Sequence, residues 1–245
     1  MQAAVSLGDV LARPDVWRGD RLANAGASGL PALSSGFAAL DAELPGGGWP
    51  RGSLTEILSD RVGLGECALL LPALRRMRED GKWCLLVAPP YALHGPAWAS
   101  AGIGLARLAV VTATQQRDAL WAAEQALASG ALGAVLCWAT HGDAAQVRRL
   151  QVAAAGSNSL AFLFRPARAR TESSAAALRL LVSAGTRGTL GVDLLKRRGP
   201  PCTRTLYLDV ARPLKWREEY ESTLARPASA APRSRSQRPG AIVVA

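Results

Sequence analysis

The stretch "EILSDRVGLGECALLLPAL", residues 56–74, has the outline of a phosphate-binding loop. An apolar run leads in, glycines at 63 and 65 punctuate a turn, and an apolar run of helical type leads out. A strand, a tight turn and a helix N-terminus together make an anion cradle, because the first-turn N–H groups have no intrahelical partners. A working loop of this kind reads G-x-x-x-x-G-K-[ST], with the lysine on the phosphates and the hydroxyl on Mg²⁺. Here Gly65 is followed by Glu66 and Cys67, and the first glycine of the motif falls near Ser59 or Asp60. One unit charge pair at 4 Å is worth about 4 kcal/mol at an effective dielectric near 20. Exchanging attraction for repulsion therefore moves phosphate affinity by several kcal/mol, and the loop is expected to bind no nucleotide.

Other reactive residue types are sparse. His94 and His141 are the only histidines, too few for a histidine-based triad or a multi-histidine metal site. The "THGD" at 140–143 reads as a polar loop after a strand rather than a catalytic cluster. Cys67, Cys84, Cys137 and Cys202 are scattered without a CxxC pair, which argues against zinc and against a disulfide framework. Buried single thiols in a reducing cytosol are the expectation. No metal and no cofactor is expected. Trp49, Trp83, Trp98, Trp121 and Trp138 fall on or beside regular elements, where core or interface packing is the default.

The elements that would position these groups follow from pattern. "SLTEIL", "KWCLLVAPP", residues 107–112, "ALGAVLCWAT" and "SLAFLF" have the length and apolar content of buried strands. Between them lie helical stretches: one after the loop with Pro72 in its interior, one from about 115 to 129 closed by Gly130, and "DAAQVRRLQVAAAGSN". The stretch 178–210 alternates short apolar runs with turns, as antiparallel strands do. The expected fold is α/β, a mostly parallel sheet flanked by helices with an antiparallel strand extension. Residues 1–30 read as a short helix and linker, 31–211 as the core, and 212–245 as a basic, largely disordered tail. In the tail, Leu214, Trp216 and Tyr220 stand at near-helical spacing as partner-anchor candidates.

At 245 residues, 49% hydrophobic and 20% charged, the chain has ordinary globular composition. No apolar run of 18 residues suggests a membrane span, and the N-terminus lacks a secretory pattern, so a cytoplasmic place is expected. The net charge of +10 favours an anionic partner such as nucleic acid. Lysine stands only at 82, 196 and 215, so the excess is arginine, as a GC-rich genome would also write it. Where the arginines cluster therefore carries more information than their number.

"LSSGFAALDAELPGGGWPRGSLTEI" resembles the segment that precedes the nucleotide loop in RecA-family recombinases, and the likeness continues over residues 31–210. More specifically the chain resembles the ImuA family, RecA-like accessory proteins of mutagenic translesion synthesis. "VWRG", "GFAALDAELPGGGWPRGSLTEIL", "GLGECALLLPAL" and "LKRRGPP" carry that likeness. The resemblance implies a RecA-like three-layer fold, and its departures imply lost catalysis. Besides Glu66 and Cys67, Pro89-Pro90-Tyr91 occupies the neighbourhood of the catalytic glutamate, and Trp138-Ala139 stands where a Mg²⁺-binding aspartate should end a strand. Asp143 lies too late in the chain to replace it. Arg165, Arg168 and Arg170 correspond to the second DNA-binding loop of RecA, where guanidinium groups neutralise phosphates or stack on bases. Lys196, Arg197 and Arg198 correspond to basic residues that reach a neighbour's nucleotide; without nucleotide, a partner contact, a DNA contact and a solvated turn stay open.

By resemblance the partners are an ImuB-like Y-family polymerase homologue and an error-prone C-family DNA polymerase, with single-stranded DNA or RecA as further candidates. The implied role is SOS-induced and non-enzymatic. The related SulA family supplies the alternative, a cell-division inhibitor that binds FtsZ. A RecA/RadA-like ATPase is the remaining alternative, opposed by Glu66 and Trp138.

Overall fold

The computed structural model describes residues 32–210. The expected N-terminal helix and the tail with Leu214, Trp216 and Tyr220 lie outside the described residues. The chain enters through a short helix, Ala38–Asp41 (α1), and reaches the first strand, Ser53–Ser59 (β1). Then follow Leu71–Glu79 (α2), Trp83–Val87 (β2), Gly95–Ser100 (α3), Leu108–Val111 (β3), Gln116–Ala128 (α4) and Leu132–Trp138 (β4). Ala144–Ala155 (α5) and Leu160–Pro166 (β5) complete the alternating part, and Leu178–Ala184 (β6), Leu190–Lys196 (β7) and Leu206–Leu208 (β8) end it.

All eight strands share one sheet in the order β3-β2-β4-β5-β1-β6-β7-β8. The pairs from β3 to β6 are parallel, and only β6·β7 and β7·β8 are antiparallel. β6 thus departs from the expectation of antiparallel strands over 178–210. The turn-helix segment between β5 and β6 carries the chain across β1, so β6 runs parallel to β1 before the sheet reverses. β1 and β5 are buried at every position but the last, as strands covered on both faces must be.

Alternation along β4 and β5 divides the core in two. Leu136, Phe162 and Phe164 pack with Leu40, Leu74 and Leu86 on the face that α2 covers. Val135, Cys137 and Leu163 pack with Leu120, Leu127 and Leu150 on the face that α4 and α5 cover. The three layers follow from this period-two assignment.

The helix expected directly after the loop begins later, at Leu71, and residues 66–70 are turns. Leu69 N–H donates to Gly65 O and Leu70 N–H to Cys67 O, both at 3.0 Å, closing those turns. Pro72 is consequently the second residue of α2, where its missing N–H has no helical partner to lose. Gly36 lies so close beneath it that a Cβ there would meet Pro72 Cβ at 2.4 Å. The tryptophans also divide. Trp49 is fully buried, edge-on to Phe162 at 5.3 Å, and Trp138 stacks on Phe164 at 4.6 Å. Trp83 is 42% exposed and Trp121 59% exposed, against the packing expected of them.

Candidate functional site

The parallel strands end together on one edge, the place where open α/β sheets bind ligands. Three segments meet there: the loop after β1, the Ala88–Tyr91 stretch after β2, and the end of β4 at Trp138. In the loop, Gly63 and Gly65 both adopt positive φ, +87° and +108°, which turns their N–H groups to a common side. Gly63 N–H donates to Glu66 Oε1 at 2.9 Å, and Gly65 N–H donates to Glu66 Oε2 at 3.0 Å. The side chain that replaces the phosphate-binding lysine thus seats its own carboxylate on two amides of the cradle. Glu66 is only 4% exposed, so an incoming anion meets a filled and negatively charged loop.

Cys67 follows suit. Burial pushes its thiol up to about 12, with the Glu66 carboxylate and Cys84 adding in the same direction. It stays a neutral S–H near pH 7 and offers no hard oxygen to Mg²⁺. Cys84 and Cys137 are likewise raised to about 12 by burial. Among the described residues no group of three His, Cys, Asp or Glu side chains is placed to hold a metal.

After β2, Ala88 holds φ +50°, a left-handed conformation that costs an L-residue roughly 1–2 kcal/mol. Its N–H donates to Val111 O at 2.7 Å, which keeps the turn tied to β3. Beyond it the two prolines and Tyr91 form one wall of a cavity of about 570 Å³. Val62 and Leu71 form the opposite wall, with Leu86 and Trp138 between. Among the described residues no Lys or Arg lines it. His94 also borders it, but its Nδ1 accepts from Ala97 N–H at 3.3 Å and caps α3. A second cleft of about 360 Å³ adjoins across Glu66 and Trp138. The larger cavity offers mainly apolar contact: among the described residues its polar lining groups include Glu66, held by the loop amides, His94, which caps α3, and Cys67, a neutral thiol.

Asp143 has a structural task. Its carboxylate accepts from Gln146 N–H at 2.7 Å while Gln146 Oε1 accepts from Asp143 N–H at 3.1 Å, a reciprocal cap on α5.

Of the basic candidates, Arg165 requires correction. It is 4% exposed and donates to Glu56 Oε1 at 3.1 Å, Glu172 Oε2 at 2.6 Å and Gly142 O at 2.9 Å. Glu56, fully buried in β1, takes Arg179 Nε on its other oxygen at 2.5 Å. The register sets Arg179 of β6 directly beside Glu56 and Arg165 of β5 two residues further along. Arg165 therefore neutralises an internal carboxylate and presents nothing to DNA. The signal was in the sequence: one charge inside each of "SLTEILS", "LAFLFRP" and "LRLLVSA", strands otherwise apolar enough to be buried.

The other five behave variously. Residues 167–171 form a 3₁₀ turn instead of an open loop. Arg168 donates to Thr140 O at 2.7 Å, beside His141, and remains exposed, as does Arg170. Lys196 donates to Ser174 O at 2.9 Å, and Arg198 is exposed. Arg197 is half-buried on Glu43 Oε2 at 2.8 Å, and Arg204 reaches Glu43 Oε1 at 2.6 Å. The Arg204 guanidinium holds the Glu43 carboxyl below the usual range, against the opposing effect of burial and with help from Arg197. The structure thus leaves Arg168, Arg170 and Arg198 on the surface, spends Arg165 on the buried Glu56 and pairs Arg197 with the partly exposed Glu43.

Residues 53–161, from β1 into β5, match the family described as Cell division inhibitor SulA. The chain is 32% identical over 108 residues to the Cell division inhibitor SulA of Photorhabdus laumondii, covering 44% of this chain and 61% of that one. It is 31% identical over 128 residues to Protein ImuA of Caulobacter vibrioides, covering 50% of this chain and 52% of that one. Thus it spans just over half to about three-fifths of the length of these relatives. Among solved structures, SulA from Pseudomonas aeruginosa is 29% identical and covers 46% of this chain and 97% of that one, with a TM-score of 0.39.

Proposed function

We propose that this chain is a non-catalytic binding protein of the SulA and ImuA kind, built on a RecA-like core, that serves SOS-induced error-prone translesion synthesis. It holds an ImuB-like Y-family polymerase homologue and, through it, an error-prone C-family DNA polymerase, in the cytoplasm and at the nucleoid after damage. The observation that carries the reading is the Glu66 carboxylate on the Gly63 and Gly65 amides. A loop filled by its own side chain has no use for ATP, yet the surrounding edge keeps an open apolar cavity of about 570 Å³ suited to contact with another chain. The central place of β1, with its glycine loop at the C-terminal edge of a parallel sheet, supports descent from a nucleotide-binding core.

A second reading, a division inhibitor acting on FtsZ, is supported by the SulA match over 53–161. That match stops within β5, whereas the described core runs on through β6, β7 and β8, and the ImuA likeness covers 128 residues against 108. The two likenesses support the two readings alike. Co-expression with an ImuB-like Y-family polymerase homologue decides between them. Stable co-purification supports the translesion reading. Failure to co-purify, with inhibition of FtsZ assembly at stoichiometric amounts, supports the division inhibitor.

A further inference from the structure

The face of α4 and α5 that points away from the sheet carries a tryptophan the core does not use. Trp121 is 59% exposed, and Val152 on α5 is 65% exposed. Between the two helices runs a groove of about 270 Å³ lined by Arg117, Trp121, Glu124, Gln146 and Arg149. α4 presents Arg117 one turn before Trp121, and α5 presents Arg148 and Arg149, all exposed.

The cations continue past the helix ends. Gln116, the first residue of α4, accepts from Thr140 and His141 N–H through its Oε1 at 3.0 and 3.1 Å, fastening that end of the helix to the β4–α5 connection. Arg168, in the 3₁₀ turn after β5, rests against the same connection through Thr140 O, and Arg170 follows two residues on. Trp121 stands about 8 Å along α4 from Gln116 by helical rise.

The carboxylates on or beside this face are all engaged. Asp118 pairs with Arg117 at 3.4 Å, and Glu124 with Arg149 at 2.6 Å. Asp143 caps α5, and Glu172 pairs with the buried Arg165. That leaves Arg148, Arg168 and Arg170 with no carboxylate partner among the described residues, on a chain of net charge +10. Trp121 shares its groove with Arg117 and Arg149, both paired to carboxylates, while the unpaired arginines lie on α5 and on the turn after β5 that meets the β4–α5 connection. An exposed indole on a surface with this excess of guanidinium groups suits one class of ligand above others: a single-stranded nucleic acid, whose unstacked base lies on the ring while its phosphates meet the arginines. A duplex offers no free base face, and an acidic protein segment has no need of the indole plane.

We propose that the α4–α5 face is a sequence-independent binding surface for single-stranded nucleic acid, with Trp121 as the stacking platform and Arg148, Arg168 and Arg170 as phosphate contacts. It replaces the buried Arg165 as the place where this chain meets DNA, and it stands apart from the cavity beside Glu66.

The test uses the full chain and a fluorescein-labelled oligothymidylate of about 20 nucleotides, titrated by anisotropy at several salt concentrations. Trp121→Ala should weaken binding about 5- to 150-fold, the span of one lost stacked base, and leave the salt slope unchanged. Arg148→Ala/Arg170→Ala should weaken binding and flatten the log–log salt slope by about 1.4, at roughly 0.7 per phosphate contact. Tyr207→Ala, on the exposed edge strand β8, should change neither. Circular dichroism confirms that each variant is folded. Absence of saturable binding by the wild type at low salt overturns the proposal, and so does binding that neither the Trp121 nor the double arginine variant alters. Either failure leaves the partner-binding role standing, because that role is read out by co-purification.

Discussion

Glu66 and Arg165 show how far one side chain redirects a site. Glu66 converts a phosphate cradle into a closed turn by satisfying two amides from within. Arg165 reads as a surface cation in sequence and proves to be one of two arginines holding Glu56 inside the sheet. Removing one member of a buried ion pair leaves the other charge unpaired, so Arg165→Ala should cost about 3–5 kcal/mol in urea unfolding. Arg170→Ala, at an exposed position, should stay within about 0.5 kcal/mol. Equal effects would mean that the Glu56 cluster is not the buried network described. The replacement of the lysine and hydroxyl of a phosphate loop by Glu66 and Cys67 was legible from residue type. The direction in which Glu66 points was not, because that depends on two positive-φ glycines brought around by the later start of α2.

At the scale of elements, strand identity was readable wherever apolar runs of five to seven residues were bounded by turns. Orientation was harder. Nothing in "LRLLVSA" distinguishes a strand parallel to β1 from one that begins an antiparallel ribbon; the crossing segment between β5 and β6 decides it. The exposure of Trp83 and Trp121 was equally hidden, since an aromatic on a helix or strand end reads the same whether or not a neighbour covers it. One interelement tie has a pH signature. Glu43, just beyond α1, grips Arg197 after β7 and Arg204 before β8, and its carboxyl is held low chiefly by Arg204. A carboxyl lowered in the folded state stabilises above its unfolded value and ceases to as pH falls through the folded one. The stability gap between wild type and Glu43→Gln should therefore be present at pH 7 and fade below the ordinary glutamate value of about 4.3, as read from urea midpoints across pH. A gap that is constant with pH would contradict the assignment.

At the scale of the whole molecule, the proposed role is that of a core whose parallel-sheet edge, with a loop of phosphate-binding outline, serves assembly with a partner. The segment bearing Leu214, Trp216 and Tyr220, which lies outside the described residues, is proposed to add to partner capture beyond what the core provides. Chains ending at residue 211, at residue 228 and at residue 245 test that contribution against the ImuB-like protein: capture should drop for the shortest and be equal for the other two. Equal capture by all three, with the shortest still folded, places the partner surface on the core alone. The central claim, that the loop after β1 is closed to nucleotide by Glu66, is tested most directly by calorimetric titration of the full chain with ATP and Mg²⁺. The account predicts no saturable heat. A micromolar dissociation constant, with hydrolysis that disappears in Glu66→Ala, would contradict it.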